Sequence, residues 1–214
     1  MRATNAWCFP REAICPRDAE GLRRWDSGLY RELYAIKHAI SAELRPGSIL
    51  EIGVRAGYSA YAFLSACPSA RYVGLDAENG KHGGQGGPWA PWAAHLLEPF
   101  AARIEIVDTQ EADSLERFGA FDLIHVDGDH SKAGCSHDLG LCLPVLAPGG
   151  AMLADDYHYI VDVRRAVDAF AEARGLGLEV RRSPRGEAIL RRILTQTAGD
   201  VQEASVPLPA AGDP

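Results

Sequence analysis

The chain lacks the basic excess that binding to nucleic acids or anionic membranes requires. Its 214 residues include 22 lysines and arginines against 29 aspartates and glutamates, which gives a net charge of −7. Phosphate backbones and anionic lipid surfaces are bound by basic faces. We therefore expect neither nucleic acid nor membrane as a partner, whereas small substrates, or carboxylates gathered around a cation, remain compatible with this charge.

The chain also lacks a cysteine framework and long apolar runs. Its five cysteines are odd in number and show no Cys-x-x-Cys spacing, so a disulfide scaffold or structural zinc site is not expected. Residues Met1–Pro10 have no uninterrupted apolar core of a signal peptide. No apolar run approaches the roughly 18 to 20 residues that span a bilayer. We expect a soluble cytoplasmic protein with free thiols.

Short apolar runs alternate with helical patterns along the middle of the chain. Continuous apolar runs are typical of buried parallel strands, and their alternation with helices indicates a doubly wound α/β sheet. The predicted strands are Ser48–Gly53, Arg71–Asp76, Arg103–Asp108, Phe121–Asp127 and Gly150–Asp155, with helices at about 57–67, 90–101, 111–118 and 131–146.

The ends of the chain have a different pattern. Residues 1–45 form an arm, irregular to about residue 16, followed by a lid helix within the helical pattern of Arg17–Leu44. Residues 46–196 form the main domain, which ends in a helix from about Tyr159 to Arg174 and a hairpin of Leu178–Arg182 and Glu187–Leu194. The tail 197–214 has little apolar content, which predicts disorder.

The first strand runs into a glycine turn, Glu51 to Gly57, and then into a helix. Ligands of open parallel sheets bind beyond the carboxyl ends of the strands, and glycines let the backbone approach them. The turn lacks the Gly-x-Gly-x-x-Gly spacing of dinucleotide sites, and Glu51 suits a cationic amino group better than a phosphate. The alternative is a tight turn packed for its own sake.

Two further polar residues follow successive strands. Asp76 ends the second strand, where a carboxylate can accept both hydroxyl protons of a ribose, and Gln110 follows the third, where an amide can read an adenine edge. Either residue alone is more often a solvated loop group. Three polar signals at three strand ends favour a nucleoside-containing cofactor.

The run Leu50-Glu51-Ile52-Gly53-Val54-Arg55-Ala56-Gly57-Tyr58-Ser59-Ala60 resembles the first motif of class I methyltransferases. It is most similar to that of catechol and natural-product sugar O-methyltransferases, and the resemblance extends from about Leu33 through the last strand. It implies a seven-stranded, mostly parallel sheet of order 3-2-1-4-5-7-6 with strand 7 antiparallel. It also implies that S-adenosylmethionine is held by Glu51, Gly53, Gly57, Tyr58, Ser59, Asp76, Gln110 and Asp127. The sequence departs from the family pattern near Thr109-Gln110, where an acidic or serine residue is usual.

Three aspartates follow the fourth and fifth strands. Neighbouring parallel strands end about 5 Å apart, so Asp127, Asp155 and Asp156 can converge beside the cofactor. Carboxylates that close repel one another unless protons or a cation intervene, and oxygen ligands favour magnesium, manganese or calcium. The alternative is that each aspartate caps the helix that follows it. The resemblance implies a divalent metal, expected to be Mg²⁺, at these three positions.

Two residues beyond Asp127 are candidates for the catalytic base. His130 could take the proton of a substrate hydroxyl as it is alkylated. The resembling families often have the base three residues after the metal aspartate, while some sugar enzymes use an aspartate at the position of Asp129. The alternative for His130 is a surface histidine at a helix start, and His158 is expected to be exposed.

The acceptor side of the site is expected to include a mobile loop and several aromatic rings. The glycine-rich segment Asn79–Trp92 is typical of a lid. Trp89 and Trp92 either cover the adenosine or acceptor or pack in the core. On the N-terminal helix, Trp25, Tyr30, Tyr34 and His38 could roof the pocket, although helical-period aromatics are usually core residues.

These features predict a metal-assisted O-methyltransferase that acts on a small hydroxylated metabolite, a sugar or a catechol-like compound. The alternatives are the same fold with hydroxylase-associated or aminopropyl-transfer chemistry, or a non-catalytic cofactor-binding subunit of a biosynthetic complex. The presence of Asp127, Asp155, Asp156 and His130 argues against a non-catalytic subunit, because a subunit that only binds the cofactor does not need these residues. The sequence leaves the oligomeric state open, a homo-oligomer included.

Overall fold

The computed structural model describes residues 7–82 and 87–193, and the sheet they form has seven strands in the order β3-β2-β1-β4-β5-β7-β6. Strand β7 runs antiparallel to both neighbours, and the other pairings are parallel. This confirms the predicted fold and strand order. The strands are β1 Ser48–Ile52, β2 Arg71–Asp76, β3 Ala102–Ile106, β4 Phe121–Val126, β5 Leu146–Ala154, β6 Leu176–Arg181 and β7 Glu187–Arg192.

Helices cover both faces of the sheet. They are α1 Ala19–Asp26, α2 Leu29–Leu44, α3 Tyr58–Ala66, α4 Ala90–Leu97, α5 Lys132–Val145 and α6 Val161–Arg174. The side chains of a strand alternate between its two faces. In β1, Leu50 accordingly belongs to the cluster that contains α5 and α6, whereas Ile49 belongs to the cluster that contains α2 and α3. The central strands are therefore buried on both faces.

The N-terminal helical pattern forms two helices, not one. It breaks at Gly28, whose φ of +91° is left-handed, and α2 begins at the next residue. Glycine adopts this conformation without the steric cost that a side chain would bring. The prediction of one continuous helix over Arg17–Leu44 was therefore wrong at this point.

The segment between β3 and β4 is not the predicted helix 111–118. It contains two short 3-10 helices, Thr109–Glu111 and Glu116–Phe118. The side chain of Asp108 caps the first, and the hydroxyl of Ser114 accepts a hydrogen bond from the backbone of Glu116. Such local bonds compete with a continuous helix.

Strand β3 was predicted to be buried, and this was wrong because it lies at the edge of the sheet. Among the described strands it pairs with β2 alone, and Ile106 at its end is 57% exposed. The described part of the N-terminal arm is irregular, as predicted, but it is also packed. Phe9, Ala13 and Ile14 are buried in a cluster with residues of α2 and α3.

The predicted disordered tail 197–214 lies outside the described residues. Within residues 7–82 and 87–193, no helix is long and apolar enough to cross a membrane.

Candidate active site

A cavity of about 400 Å³ lies at the carboxyl ends of β1, β2, β4 and β5. Its wall includes the turn after β1, Asp76 at the end of β2, Gln110 after β3, and the loops after β4 and β5. Side chains of the N-terminal helix α2, among them Tyr30 and Tyr34, also line the cavity. This is where open parallel sheets bind their ligands.

The first glycine of the turn is required by the close approach of two strands. Gly53 has a φ of +88°, and a Cβ atom there would lie 1.9 Å from the carbonyl oxygen of Asp127. Gly57 has a φ of +78° and packs against Ala93 of α4. Gly53 lines the cavity, whereas Gly57 is among the described residues that do not.

Glu51 lies behind the wall of the cavity, and its carboxylate is engaged inside the protein. It is fully buried and accepts hydrogen bonds from Ser59, Tyr72 and His125, the last with an Nδ1–Oε1 distance of 2.8 Å. Glu51 does not line the cavity. Its contact with the amino group of a cofactor stays a prediction.

Four other predicted cofactor residues, Tyr58, Ser59, Asp76 and Gln110, line the cavity. The two carboxylate oxygens of Asp76 accept backbone N–H bonds from Arg55 at 2.6 Å and Glu78 at 2.7 Å. These bonds fix the carboxylate at the end of β2, where it retains lone pairs for further donors. The Gln110 amide donates to Asp138 of α5 at 2.8 Å, which anchors it at the adjoining wall.

Asp127, His130 and Asp156 form a group at the cavity that we name the outer carboxylate site. One ligand atom of each lies within 4.8 Å of the others. His130 Nε2 is 3.2 Å from Asp127 Oδ1 and 3.7 Å from Asp156 Oδ2. Two carboxylates and an imidazole are a donor set that suits a divalent cation.

The charges at the outer carboxylate site shift two pKa values. The hydrogen bond that His130 donates to Asp127, with the charges of Asp127 and Asp156, raises the pKa of His130 to about 9 despite its burial. Burial and the charges of Asp155 and Asp127 raise the pKa of Asp156 to about 6. This crowding of negative charge is the condition in which a cation is stabilised.

The third predicted metal ligand, Asp155, is directed into a second group. Its carboxylate is 3.0 Å from Lys37 Nζ, which is also 2.7 Å from Glu187 Oε1 and 3.1 Å from His125 Nε2. We name Lys37, His125, Asp155 and Glu187 the inner cluster. All four side chains are buried.

Lys37 and Asp155 of the inner cluster form an ion pair although both side chains are buried. Burial alone would lower the pKa of Lys37, but the charges of Asp155 and Glu187 raise it above its ordinary value. Burial alone would raise the pKa of Asp155, yet the charge of Lys37 holds it below its usual range. The structure therefore brings Asp127 and Asp156 together with His130 and pairs Asp155 with a lysine.

The turn between β6 and β7 is bonded to the loop that follows β5. The backbone N–H groups of Tyr157 and His158 donate to the carbonyls of Gly186 and Arg185, at 3.1 and 2.7 Å. The Arg185 guanidinium lies 3.1 and 3.3 Å from the two oxygens of Asp156. His158 is exposed, and it precedes α6 instead of lying on it.

Asp129, the rival base, also lines the cavity. Its Oδ1 accepts from the backbone of Ser131 at 2.7 Å, and its Oδ2 is 3.4 Å from Nδ1 of His82. His82 Nε2 is also 2.9 Å from Asp108, so the described start of the glycine-rich loop bridges the ends of β3 and β4.

Of the predicted aromatic roof, Tyr30 and Tyr34 line the cavity. Trp25 donates its indole N–H to the Phe9 carbonyl at 2.8 Å, and the ring of His38 stacks on Trp7. Trp89 and Trp92 pack against the N-terminal core cluster and are not among the described residues that line the cavity.

Several site residues were missed in the sequence, namely Lys37, His125, Arg185 and Glu187. A signal existed for two of them. Lys37 lies on the apolar stripe of α2 that also carries Leu33 and Ile40, and His125 interrupts the apolar strand β4. A charged or titratable residue at a core position requires a partner.

The strand order, together with a family match over half of the chain, shows a class I S-adenosylmethionine-dependent methyltransferase. Residues 50–157 match the profile of the family described as "methyltransferase domain", and the chain belongs to that family. The matched segment runs from β1 past the aspartates after β5. A search of curated proteins gives no significant match.

Solved structures share the fold at low sequence identity. The S-adenosylhomocysteine-bound methyltransferase of Podospora anserina matches 84% of this chain and 98% of its own, with a TM-score of 0.58 and 16% identity. An O-methyltransferase of Streptomyces achromogenes involved in tomaymycin synthesis, in complex with S-adenosylmethionine, matches 80% and 86%, with a TM-score of 0.57 and 18% identity. A TDP-rhamnose 3′-O-methyltransferase of calicheamicin biosynthesis matches 83% and 88%, with a TM-score of 0.57 and 18% identity.

Proposed function

We propose that the chain is a divalent-metal-assisted O-methyltransferase that acts on a hydroxyl of a small metabolite, a sugar or a catechol-like natural product. The observation that carries the proposal is the outer carboxylate site, which opens into the same cavity as the turn after β1. The similar structures include O-methyltransferases of natural-product pathways, one of which acts on a sugar. The acidic net charge is consistent with a small acceptor.

The donor half of the cavity suits S-adenosylmethionine, which supplies its methyl group already activated as a sulfonium. Asp76, held by two backbone N–H groups, is placed to accept the hydroxyls of a ribose. Gly53 lets β1 and β4 end side by side, which sets Asp127 next to the turn. The chain thus contributes position and charge more than covalent chemistry.

Asp127 and Asp156 are the residues that would hold a divalent cation, which lowers the pKa of a bound hydroxyl. Their carboxylates would also orient that hydroxyl toward the donor side of the cavity. His130 contacts both, so it would serve either as a third ligand or, once a cation offsets the carboxylate charges that raise its pKa, as the base that removes the proton. Asp129 is the base if His130 is a ligand.

We expect chelation to abolish methyl transfer and to leave cofactor binding intact. Formation of S-adenosylhomocysteine should be followed with a panel of catechols and nucleotide sugars, before and after exhaustive chelation, with Mg²⁺ or Mn²⁺ added back. Calorimetry should show S-adenosylmethionine affinity changed by only about twofold or less, because Asp127 is the one predicted cofactor residue that would also hold the ion, and the other cofactor contacts stay in place. Full turnover in the chelated enzyme would contradict the metal assignment.

Asp127→Asn should lower turnover by at least about 100-fold, since it removes a ligand of the proposed ion. Asp162→Asn is the matched control, because Asp162 is exposed on α6 and, among the residues that the structure describes, pairs with Arg165 alone. An Asp127→Asn enzyme as active as the control would exclude the outer carboxylate site from the reaction.

His130→Ala separates the two roles of the histidine. If His130 is the base, kcat should fall by about 100- to 10,000-fold, the usual range of general-base effects, and excess Mn²⁺ should not restore it. If His130 is a ligand, Mn²⁺ binding should weaken and high Mn²⁺ should restore the rate. An unchanged rate assigns the base to Asp129, which Asp129→Asn then tests.

A further inference from the structure

The inner cluster contains three side chains that could together bind a second metal ion. Ligand atoms of His125, Asp155 and Glu187 lie within 4.8 Å of one another, and all three side chains are buried. Asp155 also lines the cavity, so the cluster adjoins it. By its donors alone this triad is as suited to a divalent ion as the outer carboxylate site.

Lys37 Nζ already lies among these three donors. It is within 3.1 Å of one atom of each, and an ammonium has three N–H groups to donate. His125 can accept at Nε2 in the tautomer that donates from Nδ1 to Glu51. The three donors of Lys37 therefore match three acceptors.

We propose that Lys37 is the resident cation of the inner cluster. Its ammonium takes the position of a metal ion among His125, Asp155 and Glu187, withholds Asp155 from an exchangeable ion, and so confines such an ion to the outer carboxylate site. Lys37 is then a positioning residue, because it acts through Asp155 and not on the reacting atoms.

The position of Lys37 in the chain adds a second consequence. It lies on α2, the helix that also brings Tyr30 and Tyr34 to the cavity. Its ion pair with Asp155 and its hydrogen bond to Glu187 attach this helix to the residue that follows β5 and to the first residue of β7. The lid helix is thereby held in a fixed register with the residues that follow β5.

One part of this inference rests on the proposed function, namely that an exchangeable ion binds at the outer carboxylate site. The role of Lys37 in the inner cluster does not depend on it. Mn²⁺ binding to the purified full-length chain, measured by electron paramagnetic resonance of the free ion, tests it without any turnover. Lys37→Met removes the ammonium and keeps the length of the side chain. Lys132→Met is the matched control, because Lys132 is exposed at the start of α5.

We expect the wild type and Lys132→Met to bind one Mn²⁺ per chain, which Asp127→Asn removes. Lys37→Met should bind one more, and that additional ion should persist after Asp127→Asn and disappear after Asp155→Asn. A folded Lys37→Met chain that binds no more Mn²⁺ than the wild type would overturn the proposal. So would an ion in the wild type that Asp155→Asn weakens as strongly as Asp127→Asn does.

If the wild type binds no Mn²⁺, the metal-assisted function is contradicted. The proposal that Lys37 is a resident cation is still supported in that case if Lys37→Met gains a Mn²⁺ site. If Lys37→Met does not fold, Lys37→Gln, which replaces the ammonium by a neutral amide and keeps all three donors of the triad, takes its place in the titration. The wild-type comparison of Asp127→Asn with Asp155→Asn decides the question independently of either variant.

Discussion

Glu187 holds a carboxyl group in an environment that disfavours its charge. It is fully buried at the start of β7, and its Oε2 atom has no hydrogen-bond partner among the described residues. Burial and the charge of Asp155 raise its pKa from 4.5 to about 8, against the lowering influence of Lys37. At neutral pH the folded protein therefore retains a proton that the unfolded chain releases.

This proton makes stability depend on pH. Between pH 4.5 and 8 the folded state binds more protons than the unfolded state, so stability falls as pH rises through this range. Glu187→Gln does not titrate. We expect the free energy of unfolding of Glu187→Gln, relative to that of the wild type, to increase by on the order of 2 kcal/mol between pH 6 and pH 9. Urea unfolding at both values measures this, with exposed Glu172→Gln as the control, and a difference that does not change with pH would refute it.

The residues at the strand ends could be predicted, but their partners could not. Asp76, Asp127 and Asp156 follow apolar strands, and the geometry of parallel sheets places such residues at one edge. The pairing of Asp155 with Lys37 joins positions more than a hundred residues apart, and no local pattern encodes it. Only the unexplained charge on the apolar stripe of α2 indicated that a partner was needed.

Among the elements, the short segment before α1 contributes more to the site than its irregular sequence indicated. The Phe9 ring is fully buried, 4.4 Å from the ring of Tyr34 and 5.7 Å from that of Tyr58. Both tyrosines line the cavity, and the Tyr58 hydroxyl accepts from the backbone of Cys15 at 2.9 Å. The segment therefore supports the cofactor side of the cavity from behind.

Phe9→Ala should cost about 3 to 5 kcal/mol of stability, the usual range for truncating a buried phenylalanine. It should also weaken S-adenosylhomocysteine binding, because Tyr34 and Tyr58 lose the ring that positions them. Urea unfolding and calorimetry measure the two effects. Cys8→Ala, at an exposed neighbouring position, should change neither, and equal behaviour of the two variants would show that the segment is dispensable.

Element boundaries were predictable where local chemistry marks them. The strand ends of β1, β2 and β4 coincide with the predictions to within one residue. The break at Gly28 was not predicted because an isolated glycine is tolerated inside many helices. The structure shows that the left-handed backbone of Gly28 separates α1 from α2. The region after β3 adopts 3-10 turns because capping side chains satisfy its backbone locally.

At the scale of the whole molecule, a ligand that binds only the folded state should stabilise all of it. At 100 times its dissociation constant, S-adenosylhomocysteine contributes about 2.7 kcal/mol. For a chain of this size that corresponds to a rise in Tm of about 5 to 10 °C. Differential scanning fluorimetry should show this rise, a smaller one for Asp76→Asn, and none with NAD, for which the turn after β1 has the wrong glycine spacing. A rise with NAD alone would contradict the assignment of the cavity.

The insertion of β7 between β5 and β6 has a consequence for synthesis on the ribosome. A nascent chain that has emerged only as far as α6 already contains the glycine turn and Asp76, but β5 still has an open edge. Asp156 then lacks Arg185, and Lys37 lacks Glu187. The donor half of the cavity can thus assemble while translation continues, whereas the half that carries the aspartates is completed only when the last strand arrives.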